Sequence, residues 1–322
     1  MNRLLLIGPD FYGYTNNIAA VFKSNGWTVT AIQVKLKTGS FYRRQDAQSI
    51  SAYNLQVTET ARSGRFDHII VVKGEHLFES TLKHLKQAGT SVFLFLQDSC
   101  RGSITGHYLK YFDKILTFED TDTKYLKSLG YNAIFFGAAV SPDIYYPQPD
   151  IIKDIDICFV GHFSEGREDI LWAIINQFRN FKIAIGGHYL GRHPKYYPRW
   201  IKYYLQGGHK YFLNRDMTPS EVCNLYNRTK ICLNLIHTQS VEGFNPRLLE
   251  IAATKSFQLC SANAILEREY KRIGVDIFHS NAEMYEKIEF YLNNSKESEK
   301  LADLSYKIAL ENTYNKKITL LT

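Results

Sequence analysis

One stretch of the sequence brings acidic, basic and amide side chains together at a spacing that suits a phosphorylated ligand. Two glutamates are separated by seven residues, in the run Glu242-Gly243-Phe244-Asn245-Pro246-Arg247-Leu248-Leu249-Glu250. Pro246 is typical of a first helical turn, so a helix is predicted to follow a glycine turn. Free backbone N–H groups at a helix start favour an anion, and Arg247 can add a charge-assisted hydrogen bond to a phosphate. Glu250, about one turn further on, can accept hydrogen bonds from two sugar hydroxyls.

This motif resembles the donor site of many GT-B glycosyltransferases. The form Asn-x-Arg-x-x-Glu, preceded by the run from Lys230 to Leu235, resembles the CgeB-like (spore-maturation-protein-like) branch. Further matches are Phe159-Val160-Gly161 followed by Arg167, Val72-Lys73-Gly74, Phe95-Leu96-Gln97-Asp98 and Tyr145-Tyr146-Pro147. The resemblance covers most of the chain and is strongest from about Asp156 to Asn312.

The resemblance implies a role for each residue of the donor motif. Glu250 would bind the donor ribose, and Glu242 would lie near the transferred sugar as a catalytic residue. The pyrophosphate would be held by Arg247 and the amides of Gly243, Phe244 and Asn245. Gly161 and Arg167 would approach the phosphates from a neighbouring loop, and the loop Asn214-Arg215-Asp216-Met217 would border the nucleobase.

The sequence departs from the family pattern at two places. The family has a glycine in the tight turn after the helix that carries Glu250, where this chain has Thr254-Lys255. The family's late His-Thr-Tyr reads Asn312-Thr313-Tyr314 here. The first departure affects the geometry of the turn, and the second removes any role of the histidine.

The elements around these residues alternate between strand and helix. Largely apolar runs such as Leu4 to Ile7 and Asp67 to Val72 are typical of strands buried on both faces of a parallel sheet. A proline-rich break at 141–150 precedes a second alternating series that begins at Ile155. We therefore predict an α/β protein of the GT-B fold, with two doubly wound, Rossmann-like domains facing across a cleft. Residues 1–147 would form the acceptor-side domain and residues 148–322 the nucleotide-sugar-binding domain, with the last helix packing back on the first.

Polar residues follow several predicted strands of the first domain, where ligands bind in such sheets. Candidate acceptor-side residues are Asp10, Gly13, Lys73 and Glu75. The Gly8 to Gly13 loop is either a turn facing the cleft or an ordinary strand–helix connection, and it is neither GxGxxG nor a P-loop. Asp98 or His76 could act as the base of an inverting transferase; otherwise both are exposed loop residues.

Composition narrows the class of protein further. The chain has 322 residues, 45% of them apolar, and a formal charge of +7, which suggests acidic partners such as phosphates. Its five cysteines have no CxxC spacing and are expected to be buried thiols in a reducing compartment. No metal cluster is apparent, and GT-B enzymes generally need none. We therefore expect no cofactor, with the nucleotide sugar as co-substrate, in a cytoplasmic protein.

Residues 192–215 interleave basic and aromatic side chains and contain no acidic residue. This composition suits a peripheral contact with the inner face of a membrane. It also suits single-stranded nucleic acid, although nucleic acid is not the expected partner. The third alternative is a solvated helix packed by its aromatic face.

The sequence as a whole predicts a glycosyltransferase. The donor would be a nucleoside-diphosphate sugar, with UDP favoured, and a hexosyl group would pass to a glycan, a lipid-linked glycan or a protein, as in polysaccharide biosynthesis. Two alternatives stay open: a glycosyltransferase that modifies nucleic acid, and a non-catalytic module that binds a nucleotide sugar.

Overall fold

The computed structural model describes residues 2–9, 13–34, 47–87, 89–97, 99–100, 104–163, 166–191, 196–236, 243 and 245–320. The chain divides into two compact units. The first comprises Met1–Ala138 and Tyr314–Thr322, and the second comprises Ala139–Thr313. The proline-rich segment that was predicted to link two domains therefore lies within the second unit.

The first unit is built on a six-stranded sheet in which all strands are parallel, in the order β2-β1-β3-β4-β5-β6. Its elements are β1 Arg3–Pro9, α1 Tyr14–Ser24, β2 Thr28–Val34, α2 Ala47–Ser63, β3 His68–Val72, α3 Glu79–Gln87, β4 Ser91–Phe95, a 3-10 helix Ile104–Tyr111, β5 Lys114–Thr117, α4 Asp120–Ser128 and β6 Ala133–Phe135. Strand β1 buries every residue from Leu4 to Pro9, as expected for a strand covered on both faces.

The last part of the chain also belongs to this unit, through α12 Tyr314–Lys317 and a 3-10 turn Ile318–Leu320. The Lys317 ammonium donates hydrogen bonds to the carbonyls of Phe136 and Ala138 at 2.8 and 2.7 Å. Burial lowers the pKa of Lys317 to about 8. The two carbonyl groups compensate part of the cost of burying this cation.

The second unit contains a five-stranded parallel sheet in the order β11-β10-β9-β7-β8. Its elements are β7 Ile155–Val160, α5 Arg167–Gln177, β8 Ile183–Gly186, α6 Tyr197–Leu205, a 3-10 turn Gly208–Lys210, α7 Pro219–Asn227, β9 Thr229–Asn234, α8 Pro246–Ala253, β10 Gln258–Ser261, α9 Ala264–Ile273, β11 Asp276–Phe278, α10 Asn281–Asn293 and α11 Ser295–Glu311. Helix α7 begins with a capping box formed by Thr218 and Glu221.

Both sheets are doubly wound, as the sequence predicted. In the first, the strand order reverses between β1 and β3, and in the second between β7 and β9. Connections on the two sides of such a point leave toward opposite faces, so a crevice opens beyond the carboxyl ends of the two central strands. The carboxyl ends of β7 and β9 are therefore where a ligand of the second unit is expected.

The loop after β3 has an unusual backbone. Lys73 and His76 adopt left-handed φ angles of 62° and 68°, which cost non-glycine residues about 1–2 kcal/mol each. The buried amide of Asn54 holds this loop, because it donates to the carbonyl of His76 and accepts from the N–H of Phe78, both at 2.8 Å. Strain maintained in this way is a recurrent feature of functional sites.

Candidate functional site

The predicted donor motif lies at the start of α8, directly beyond the carboxyl end of β9. The Asn245 side chain caps the helix by accepting a hydrogen bond from the N–H of Leu248 at 3.1 Å. Gly243 is buried, and its carbonyl accepts from the Asn263 side chain at 3.4 Å. Glu242 and Phe244 lie outside the described residues. The helix start therefore has the capped geometry that the sequence predicted.

A pair of amides joins this helix start to the sheet. Asn234, the last residue of β9, and Asn245 exchange hydrogen bonds of 3.1 and 2.7 Å between their side chains. Asn234 also donates to Gln258 at 3.3 Å, and Gln258 donates to the carbonyl of Leu248 at 2.9 Å. The position of α8 is thereby set by a closed polar network, which the sequence analysis did not identify.

Arg247 and Glu250 form an ion pair within α8. The guanidinium Nη1 lies 2.8 Å from Glu250 Oε2 and 3.5 Å from the hydroxyl of Tyr226. Glu250 is only 6% exposed. Burial raises the pKa of Tyr226 and of Tyr145, and the nearby Glu250 carboxylate adds to both shifts. These phenols are therefore neutral donors beside a buried carboxylate.

Arg167 lies at the crevice between β7 and β9. Its guanidinium donates to the carbonyl of His162, in the loop after β7, at 3.2 Å, and to the carbonyl of Leu235, directly after β9. Its Nε is buried without a hydrogen-bond partner. Burial, followed by the nearby charge of Arg247, lowers the pKa of Arg167, although a guanidinium stays charged. Two arginines thus approach one another closely enough to repel, which favours an anion between them.

His162 lies beside these arginines and was not among the predicted site residues. Burial lowers its pKa; Asp216 opposes this shift, whereas Arg167 and Arg247 add to it. This shift disfavours the imidazolium form, which would place a third positive charge beside the two arginines. The position of His162 one residue after Gly161 in the matched run was the available signal.

The loops that follow β7 and β8 are in close contact. Gly187 has a φ of 125°, and a Cβ at this position would lie 2.3 Å from the carbonyl oxygen of Gly161. The Asn214 side chain accepts hydrogen bonds from the N–H groups of Tyr189 and Leu190 at 3.1 and 2.8 Å. The glycine at position 187 therefore allows the loop after β8 to approach Gly161 in the loop after β7.

The remaining predicted donor residue, Arg215, has a partner of its own. Its guanidinium lies 2.7 Å from Glu221, the carboxylate of the α7 capping box. This pairing lowers the pKa of Glu221 to about 2. Arg215 is exposed, and its predicted place beside a nucleobase stays a prediction.

The turn after α8 keeps its tight form without the family's glycine. Lys255 takes the left-handed conformation itself, with a φ of 56°, and its ammonium lies 2.8 Å from Asp303 of α11. The Thr254 hydroxyl closes the turn by donating a hydrogen bond to the carbonyl of Ile251 at 2.7 Å. The turn geometry is thus retained at a cost of about 1–2 kcal/mol.

The candidate acceptor-side residues belong to the first unit. The Lys73 ammonium is buried and lies 3.7 Å from Glu75, so these two predicted residues are brought together. Gly13, with a φ of 72°, precedes the first residue of α1, and His76 follows in the strained loop after β3. Asp10 and Asp98 lie outside the described residues. The roles of all these residues stay predictions.

Several known proteins are similar to this chain in sequence or in fold. Residues 167–321 match a family model described as "Glycosyl transferase-like". The chain is 23% identical to the spore protein CgeB of Bacillus subtilis over 264 residues, which cover 75% of this chain and 77% of that protein.

Two solved structures share the fold over nearly their whole length. Sucrose-phosphate synthase from Thermosynechococcus elongatus superimposes with a TM-score of 0.70 at 10% identity, over 100% of this chain and 97% of that one. HepE of Anabaena, in complex with UDP-glucose, gives a TM-score of 0.70 at 10% identity, over 100% and 99%.

These findings define the class: the protein has the GT-B fold of glycosyltransferases. The resemblance to the CgeB-like glycosyltransferases that the motifs indicated is confirmed as well. The predicted fold class, with two parallel-sheet α/β domains, is thus correct.

Acidification should destabilise the protein partly through His162. Because the native state holds its pKa below the usual value, the unfolded chain binds more protons, and the free energy of unfolding falls as the pH drops. His162→Gln should therefore flatten the decline in melting temperature between about pH 7 and about pH 5.

His279 supplies the opposite control. Hydrogen bonds to Glu283 and Glu267 raise its pKa, so its contribution is present at low pH and is lost as the pH rises through the raised value. His279→Gln should steepen the acid decline. Identical pH profiles for the two variants would contradict both assignments.

Proposed function

We propose that the protein transfers a hexosyl group from a UDP-sugar to a glycan, a lipid-linked glycan or a protein. The observation that carries this proposal is the pair of arginines at the β7–β9 crevice, with a buried carboxylate one helical turn behind. Such a site provides separate places for a diphosphate and a ribose.

The diphosphate step rests on Arg167, Arg247 and the start of α8. Arg167 donates two hydrogen bonds to backbone carbonyls. No carboxylate among the described residues forms an ion pair with it. A diphosphate would relieve its repulsion from Arg247 and accept charge-assisted hydrogen bonds from both. The amides before α8 would add to this field.

The ribose step rests on Glu250. Its Oε2 is engaged by Arg247, while its burial next to neutral tyrosines excludes competing water. A carboxylate in this setting accepts hydrogen bonds from two neighbouring hydroxyls. UDP is favoured as the carrier because HepE, with the same fold over the whole chain, is known in complex with UDP-glucose.

In the reaction, an acceptor hydroxyl oxygen forms a bond to the anomeric carbon of the sugar. The bond from that carbon to the diphosphate oxygen breaks, and UDP leaves with the electron pair. The two arginines stabilise this developing charge, a kind of interaction whose loss costs about 3–4 kcal/mol in other enzymes. The acceptor proton passes to a base, for which Asp98 and His76 are the candidates, while Glu242 positions the sugar. No metal is needed when fixed cations take this role.

A nucleotide screen tests the proposal as a whole. UDP, GDP, CDP, ADP and dTDP are compared by the rise in melting temperature that each causes in the intact protein. Selective stabilisation by UDP is expected, because a ligand that binds only the native state stabilises it. The absence of a shift with any nucleotide would refute the donor site. Binding without transfer to any acceptor would instead identify a non-catalytic module.

Replacing Glu250 with alanine should weaken UDP binding by roughly ten- to a hundred-fold, the effect of losing hydrogen bonds to a charged group. The sharper test compares UDP with 2′-deoxy-UDP by calorimetry. The wild type should prefer UDP, and Glu250→Ala should bind both equally. The exposed i,i+3 pair of Glu269 and Arg272 supplies the matched control, Glu269→Ala, which should keep the wild-type preference. If Glu250→Ala still preferred UDP over 2′-deoxy-UDP, this carboxylate would not be the group that binds the ribose.

Replacing Arg167 with methionine should weaken UDP binding while leaving uridine binding within a few-fold of the wild type. The reason is that Arg167 is assigned to the phosphates alone, so a ligand without phosphates does not report its loss. Glu250→Ala should weaken both ligands. An equal loss of uridine and UDP affinity in Arg167→Met would mean that this residue supports the fold of the crevice rather than the phosphates.

A further inference from the structure

Helix α6 of the second unit turns an apolar face toward solvent. Tyr197, Ile201, Tyr204 and Leu205 are 60%, 60%, 62% and 83% exposed. Their spacing of i, i+4, i+7 and i+8 places them on one side of the helix. Trp200 extends the face, because its ring stacks on Tyr204 at 5.8 Å. A contiguous apolar surface of this kind usually marks a contact with another body.

The basic residues of α6 point away from this face. Arg199 lies 2.7 Å from Glu168 of α5, and Lys202 lies 4.0 Å from the same carboxylate. The Lys202 ammonium also lies 5.2 Å from the ring centre of the buried Trp172. These two charges therefore anchor the helix to its unit, and they leave the apolar side chains as its outer surface.

Other basic residues border the apolar face. A groove of about 410 Å³ is lined by Ile175, Arg179, Leu205, Gln206, Gly207, Lys210 and Tyr211. Arg179 and Lys210 are both exposed there, next to Leu205 of the apolar face. The sequence from 170 to 215 contains no acidic residue that could compete with an anion for Arg179 and Lys210. The surroundings of the groove are therefore complementary to an anionic partner.

We propose that α6 lies in the interface of an anionic lipid bilayer. The side chains of Ile201, Tyr204 and Leu205 would enter the boundary between headgroups and acyl chains, while Arg179 and Lys210 would bind lipid phosphates in the groove. Amphipathic helices with aromatic residues bind membrane surfaces in this orientation. No helix among the described residues is long and apolar enough to span a bilayer, so the contact is one of surface attachment.

Lipid explains this surface better than nucleic acid does. Bases stack on aromatic rings, but Ile201 and Leu205 offer no ring, and Leu205 is the most exposed member of the face. Arg199, which lies 5.4 Å from the centre of the Tyr196 ring, is held by Glu168. An aliphatic edge flanked by cations suits acyl chains below charged headgroups.

Sedimentation with vesicles tests the proposal. The intact protein is mixed with vesicles of phosphatidylcholine, with and without phosphatidylglycerol. Binding is expected only with the anionic lipid and should weaken as salt is raised. The variant Leu205→Ser/Lys210→Ala should partition at least about ten-fold less, because it loses a large apolar contact and one of the charges that each contribute about five-fold.

The matched control is Ile152→Ser/Lys296→Ala, which removes an 80% exposed isoleucine and an exposed lysine elsewhere in the same unit. It should bind vesicles as the wild type does. Failure of the wild type to bind anionic vesicles, or an equal loss in both variants, would overturn the proposal. A third outcome would also overturn it: the wild type binds a single-stranded oligonucleotide but no vesicles, and Leu205→Ser/Lys210→Ala loses the oligonucleotide binding.

The membrane proposal is independent of the proposed reaction. Leu205 and Lys210 contact none of the described residues that are assigned to the nucleotide. The stabilisation of Leu205→Ser/Lys210→Ala by UDP should therefore equal that of the wild type, whatever the vesicle result. A loss of vesicle binding with an intact UDP shift is the expected combination.

Discussion

The arrangement of the candidate site in the second unit depends on which side chains occupy the crevice between β7 and β9. Doubly wound sheets leave this gap, and its walls are loops whose carbonyl groups need donors. Arg167 supplies them to His162 and Leu235, one on each wall. The cost is a partly buried cation whose pKa is lowered by burial and by the nearby charge of Arg247. This local positive charge is the basis of the proposal that a diphosphate binds at the crevice.

The rest of the site preserves this arrangement by satisfying its polar groups. Asn234, Asn245 and Gln258 form a closed network that holds the start of α8 against the ends of β9 and β10. A network that is fully satisfied in a low-dielectric interior is rigid, whereas one missing partner would be costly. Arg247 and Glu250 are therefore presented from a helix whose position is fixed before any ligand arrives.

At the switch point of its sheet, the first unit has a strained backbone, whereas the second unit has neighbouring charges. Lys73 and His76 are both left-handed in the loop at the corresponding switch point of its sheet. The four-bonded amide of Asn54 holds this loop from α2. Both units thus support the loops at their switch points with side chains from neighbouring elements.

Much of the fold followed from the sequence because local signals were strong. The runs of β1 and β7, the capping box of α7 and the proline at the start of α8 each specify an element without help from distant residues. Short elements with weak patterns were missed: β11 has three residues, and α9 buries only Leu266 and Ile273. A pattern of two buried positions does not distinguish a helix from a loop.

Spacing and capping are local properties, so the residue types at the ends of the central strands and at the start of α8 can be identified from the sequence alone. The proximity of Arg167 and His162 to Arg247, and the left-handed conformation of Lys255 after α8, depend on tertiary contacts. Tertiary contacts also turn the charges of α6 inward and leave its apolar side chains exposed. These outcomes depend on contacts between residues far apart in the chain, such as Arg167 with Leu235, and their free energies have no counterpart in the local sequence.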